Sequence, residues 1–87
     1  MESYKIQIKP SASKELDLVG SKKDRQRIVT RIYSLVDNPR PAGCEKLAAE
    51  EDKYRVRQGN HRIIHSINDK QGLVVVTKIG HRREVYR

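Results

Sequence analysis

The sequence has no Trp, no Phe and a single Cys among its 87 residues. Apart from four Tyr, the interior must therefore be built from eight Ile, eight Val and five Leu. That supply suits one sheet covered on one side by helices, because a chain this short buries only about 60–65% of its unfolded surface. A lone Cys44 excludes an internal disulfide and fits a cytoplasmic protein. Long hydrophobic runs are missing too. The longest aliphatic run, Leu73–Val76, is far too short to span a membrane, and the first residues lack the apolar stretch of a signal peptide. One cytoplasmic domain over residues 1–87, with no membrane partner, is expected.

Acid is the remaining scarcity. Nineteen Lys and Arg face eleven Asp and Glu, a net charge of +8. The excess is no tail effect, since residues 1–43 and 44–87 each carry +4. Folding has to concentrate it, and the partners it favours are nucleic acid, an anionic surface or an acidic protein.

The most informative stretch runs from Lys53 to Asp69. It reads as two alternating strands joined by Gly59-Asn60, a pair suited to a two-residue turn needing positive φ. Such a loop fixes the register: Gln58 faces His61, Arg57 faces Arg62, Val56 faces Ile63 and Tyr54 faces His65. Alternation then puts Tyr54, Val56, Ile63 and Ile67 on one face and Arg55, Arg57 and Arg62 on the other. Like charges opposite each other cost roughly 0.2–1 kcal/mol per pair, and nothing acidic occurs between Lys53 and Asn68 to relieve them. Three guanidiniums on one face suit a phosphate, which their planar forks bind bidentately. Solvated arginines on an exposed sheet face, there for solubility, are the plainer alternative.

Around the hairpin, Tyr4–Ile8 alternates as a half-buried strand ended by Lys9-Pro10. Ser11 can cap a short helix with Ala12, Leu16 and Val19 on one face, closed by Gly20. Ser21–Asp24 has capping-box spacing, and Ile28, Val29, Ile32, Leu35 and Val36 form the apolar stripe of a second helix, with Arg25, Arg27 and Arg31 spread outward. Asn38-Pro39 ends it, and Leu47–Ala49 can form one helical turn. Asp69–Gly72 is a turn into Leu73–Ile79, the expected central strand. The order is βααβββ: an α+β fold, an antiparallel-rich sheet with two N-terminal helices on one face. On the last strand, alternation sets Val74, Val76, Lys78, Gly80 and Arg82 to one face and Val75, Thr77, Ile79 and His81 to the other. With Arg82 on the arginine face and Tyr86 behind it, the sheet offers a cationic surface plus one aromatic for base stacking, as a single-stranded RNA site needs.

No metal site or cofactor is expected. His61 and His65 lie roughly 13 Å apart along a strand and cannot share one ion. His65 reads as a packed polar residue of the core. His61 and His81, at strand ends, are candidates for acid–base work near neutral pH, or surface residues without a role.

Leu47, then Tyr54-Arg-Val-Arg57, Gly59-Asn-His-Arg62-Ile-Ile and Gly80-His-Arg-Arg-Glu-Val-Tyr86 together resemble the RelE/ParE toxins of type II toxin–antitoxin modules, and Asn38-Pro39-Arg40-Pro41 extends the likeness over nearly the whole chain. The resemblance implies a microbial RNase-like fold and, for the RelE branch, a ribosome-dependent mRNA endoribonuclease. That chemistry is attack of a ribose 2′-OH on the adjacent phosphate in the ribosomal A site, without a metal. By the same resemblance Arg62 stabilises the phosphate and Arg82 serves the leaving oxygen. Tyr86 stacks on the substrate, while Arg55 and Arg57 replace lysines. Lys53, Lys78 and Arg83 would add RNA-binding charge. Arginine stays protonated and makes a poor base, so the proton falls to electrostatics alone or to His61, His81 or Tyr86. The implied partners are a RelB-like antitoxin, the ribosome and mRNA, with operator DNA reached only through the antitoxin. A ParE-like gyrase poison and a non-catalytic nucleic-acid-binding domain are the alternatives.

Overall fold

Five strands and two helices make up the computed structural model, which describes residues 3–47 and 52–81. In chain order they are β1 (Lys5–Ile8), α1 (Pro10–Asp17), α2 (Lys22–Ser34), β2 (Glu45–Lys46), β3 (Lys53–Gln58), β4 (His61–Asn68) and β5 (Leu73–His81). The strands form one mixed sheet in the order β1-β5-β4-β3-β2. Only β1 and β5 are parallel; the other neighbours are antiparallel. The expected α+β class is what is found, with β2 added ahead of the hairpin. Leu47 is not helical; its amide donates to the Lys53 carbonyl and prolongs the β2–β3 ladder. Ala48 and Ala49 lie outside the described residues. The middle of the sheet is β4, not β5, which sits between β4 and β1.

The helices begin and end for identifiable reasons. Lys9 donates to the Val76 carbonyl, finishing β1, and also occupies the N-cap of α1 with no side-chain cap bond. Pro10 follows at the first helical position, where its missing N–H costs nothing and its fixed φ suits the helix. Ser11 therefore lies inside the helix rather than capping it. Gly20 is no left-handed cap either: the helix ends at Leu18, and positive φ occurs only at Gly43, Gly59 and Gly72 among the described residues. Ser21 does cap α2, accepting from the Asp24 amide at 3.2 Å.

Both helices bury their apolar faces on the same side of the sheet. Ala12, Val19, Ile28, Ile32 and Leu35 meet Val56, Ile63, Ile67, Val74, Val76 and Ile79 in a single core. At roughly 1.5–3 kcal/mol per buried aliphatic side chain, this layer is the main source of stability. His65 joins it, fully buried, with Nε2 2.9 Å from the Pro39 carbonyl.

The hairpin has the anticipated register, from Gln58–His61 through Arg57–Arg62 and Val56–Ile63 to Tyr54–His65. Gly59 carries the positive φ (+61°) and Asn60 does not, the pattern of a type II′ turn. On β5 simple alternation fails. Ile64 pairs with Lys78 while His65 pairs with Val76, so Thr77 is left over as a bulge, its hydroxyl donating to the Ile64 carbonyl at 3.3 Å. Val74 and Val76 face the helices before the bulge, and Ile79 faces them after it. Lys78 and Gly80 are thereby turned to the arginine side, together with Ile64 and Arg62. The expected grouping of Val74 with Lys78, and of Thr77 with Ile79, is broken by this one residue.

Candidate nucleic-acid interface

The face opposite the helices carries the cations. Arg57 stands directly across from Arg62, and Arg62 across from Gly80, while Arg55 lies opposite Ile64 and Lys53 opposite Ser66. Arg62 occupies the central strand and is only 5% exposed; its guanidinium donates to the His61 carbonyl at 3.3 Å. Arg57 is exposed and makes no ion pair among the described residues.

The acid missing from the hairpin arrives from β2. Glu45 sits opposite Arg55 in the ladder and its carboxylate bonds the Arg55 guanidinium. Gly43, at φ +84°, supplies the turn that sends the chain back along β3. β2 is only two residues long, so it covers Tyr54 and Arg55 and leaves the edge of β3 beyond them unpaired by β2. Arg31 of α2 lines the hollow at this edge. Arg31, Gly43, Glu45, Arg55, Arg57 and Arg62 together line a cleft of about 320 Å³. The Nε of Arg31 is buried without a hydrogen bond, and such an unmet donor costs about 1–3 kcal/mol. Four guanidiniums and one carboxylate around a cleft can hold a phosphate and, at the carboxylate, accept a proton.

Other anticipated residues fall elsewhere. Lys78 is turned to the arginine side by the bulge, but its ammonium pairs with Glu15 of α1 at 3.3 Å. The same carboxylate accepts from the Ile79 amide at 3.1 Å, satisfying the β5 edge where β1 has ended. His61 and His81 are paired across β4 and β5 with their rings edge-on, centroids 6.0 Å apart. They share the face of Ile63 and Ile79 and line a hollow with Leu18, Val19 and Gly20, on the helix side of the sheet. The structure therefore separates them from Arg57 and Arg62. Arg82, Arg83 and Tyr86 lie outside the described residues. Arg31 and Glu45 are the cleft residues that sequence reasoning missed. Arg31 looks like any outward arginine on a helix, and Glu45 lies on a strand too short to show alternation.

A family model described as the ParE toxin of the type II toxin–antitoxin system, parDE, matches residues 6–86. No curated protein matches significantly in sequence. Among solved structures, the chain is similar to a RelBE toxin–antitoxin complex from Mycobacterium tuberculosis (21% identity, TM-score 0.82, 94% of each chain covered). It is also similar to the archaeal RelE–RelB complex from Pyrococcus horikoshii (27% identity, TM-score 0.81, 92% of this chain and 96% of that one). A mutant E. coli RelE in the free state superposes over 99% of this chain and 92% of its own (22% identity, TM-score 0.78). The likeness of fold and the family match over residues 6–86 lead to one conclusion: the chain belongs to the ParE toxin family of type II toxin–antitoxin systems, within the RelE/ParE toxin superfamily.

Proposed function

We propose that this toxin is an endoribonuclease that cuts mRNA in the ribosomal A site without a metal, and so stops translation. The observation that carries the reading is the cleft that Arg31, Arg55, Arg57 and Arg62 line together with Glu45. In the proposed reaction a ribose 2′-oxygen bonds to the adjacent phosphorus as the P–O5′ bond breaks. The products are a 2′,3′-cyclic phosphate and a 5′-hydroxyl. Arg57 and Arg62 neutralise the charge that builds on the phosphorane. Glu45 or Tyr86 takes the 2′-OH proton, since His61 and His81 stand on the other side of the sheet. Arg82, by family resemblance, serves the leaving 5′-oxygen, and Tyr86 stacks on the nucleotide. Arg55 orients Glu45, and Lys53 and Arg83 add RNA-binding charge. A RelB-like antitoxin is the proposed partner, covering the cationic face and carrying any operator binding.

Primer extension on a defined mRNA in a purified translation system tests this. Wild type should give discrete cuts inside codons, and Arg62→Ala and Tyr86→Ala should lower cleavage by roughly 10²-fold or more. Glu45→Gln should cut turnover by about 10²–10⁴-fold if the carboxylate is the base; full activity would pass that role to Tyr86. Omitting ribosomes reports on the A site. Intact message from folded wild-type protein overturns the nuclease. The ParE family match favours the second reading, a gyrase poison, and a supercoiling assay would then detect it.

A further inference from the structure

The arginine cleft does not end at Arg31. A second groove, of about 530 Å³, adjoins it and runs along α2 between Lys23 and Ser34, with Gln58 at the β3 edge. Arg31 lines both hollows. Lys23, Arg27 and Arg31 recur at every fourth residue, so they rise along one flank of the helix in steps of about 6 Å. Gln26, Thr30 and Ser34 repeat the same spacing beside them and supply neutral donors and acceptors. No acidic residue lines this groove among the described residues. Like charges four apart destabilise a helix slightly, and no acidic side chain in the groove offsets them. Its neighbour Arg25 differs, being committed to the Val19 carbonyl. Arg31, with a buried Nε that has no hydrogen bond, is poised at the junction.

We propose that the α2 groove is a second polynucleotide subsite, which holds the sugar–phosphate backbone of RNA flanking the nucleotide in the arginine cleft. The inference rests on reading that cleft as an RNA site. Lys23 to Arg31 spans about 12 Å, enough for a run of about three phosphates on one strand. Arg31 is shared, reaching the phosphate at the cleft mouth, and the strand crosses the β3 edge where β2 leaves it uncovered. Backbone contacts of this kind position a strand without reading its sequence, so the groove sets how far RNA must extend from the cut and not which base is cut.

The test uses the full chain and a fluorescent 2′-O-methyl oligoribonucleotide of about 12 nucleotides, which cannot be cleaved by 2′-OH attack and exceeds a single-nucleotide site. Kd is measured by anisotropy at several salt concentrations for wild type, K23Q/R27Q and K23Q/R27Q/R31Q. Each lost phosphate contact lowers the slope of log K against log salt by about 0.7, so the triple variant should lose about 2 from the slope and bind about tenfold more weakly at low salt. Affinity for a dinucleotide should not change in K23Q/R27Q, which leaves Arg31 of the cleft in place. Lys23 and Arg27 are exposed, so the double variant folds whatever Arg31 contributes to packing. Wild-type slope and affinity in both variants would overturn the subsite. So would unchanged RNA binding combined with lost binding of an oligoglutamate peptide, which would make the groove a protein-docking surface. The two readings fail separately: message cleaved normally by K23Q/R27Q with wild-type RNA slope removes the groove and keeps the nuclease, whereas a reduced slope with no cleavage by wild type keeps the groove and removes the nuclease.

Discussion

His65 shows how one buried side chain sets a pH limit. Its Nε2 must carry the proton, because the Pro39 carbonyl can only accept. Nδ1 is then the bare nitrogen, buried and without a hydrogen-bond partner. Burial lowers the pKa of this imidazole from its ordinary 6.5, the carbonyl bond opposes the shift, and nearby Arg40 lowers it further. The unfolded chain therefore takes up a proton near pH 6.5 that the folded chain refuses until lower pH, and stability falls as pH drops below that value. Above about pH 7 the contribution is complete. Thermal midpoints measured from pH 7.5 to 5 should decline for wild type, and His65→Gln should flatten that decline while lowering the midpoint at pH 7.5. Equal slopes for the two proteins would show that His65 does not govern the acid limb. Asp69 adds a second, lower limit. Its carboxylate accepts from Arg40 at 2.9 Å and from the Tyr4 hydroxyl at 2.7 Å, and the Arg40 bonds, foremost, hold its pKa below 3.8.

At the scale of elements, Thr77 decides which side chains of β5 reach which face. With all nine residues of β5 in place, strict alternation would turn Lys78 into the core or Ile79 out of it; deleting Thr77 removes the surplus residue and leaves Val76 and Ile79 facing the helices and Lys78 facing away. An unpaired buried charge costs roughly 3–5 kcal/mol, and losing a core Ile costs about 2–5 kcal/mol; the deletion incurs neither. Urea denaturation should therefore find the Thr77 deletion within about 1 kcal/mol of wild type, the lost hydrogen bond to the Ile64 carbonyl being its main cost. A one-residue insertion in the exposed Asp69–Gly72 turn should cost as little. A loss of about 3 kcal/mol or more for the Thr77 deletion would show that the bulge itself, not strand phase, secures the two faces. The same elements show what the sequence could reveal. Gly59-Asn60 fixed the hairpin register through local turn chemistry, and the stripe Ile28–Ile32–Leu35 marked the buried face of α2; both signals are local. The bulge left no trace in composition, and the two-residue β2 is held by its ladder with β3 rather than by any propensity of its own. Glu45 and Arg31 were hidden for that reason: their places in the cleft come from tertiary neighbours.

For the whole molecule, the opposition of Arg57 and Arg62 within a chain of net charge +8 has a thermodynamic consequence. A polyanion that binds only the folded state stabilises it by RT ln(1 + [L]/Kd), about 2.7 kcal/mol at a hundredfold excess over Kd. For a domain of this size that raises the melting temperature by about 10 °C or more. Heparin should show this shift at low salt, and 0.5 M NaCl should remove most of it by screening. No shift at low salt would mean that the cationic surface is a solubility feature. Where the shift occurs, a bound polyanion does more than occupy the cationic face. It is a folding partner, and the fraction of chain open to a protease at any moment then depends on how much polyanion surrounds it.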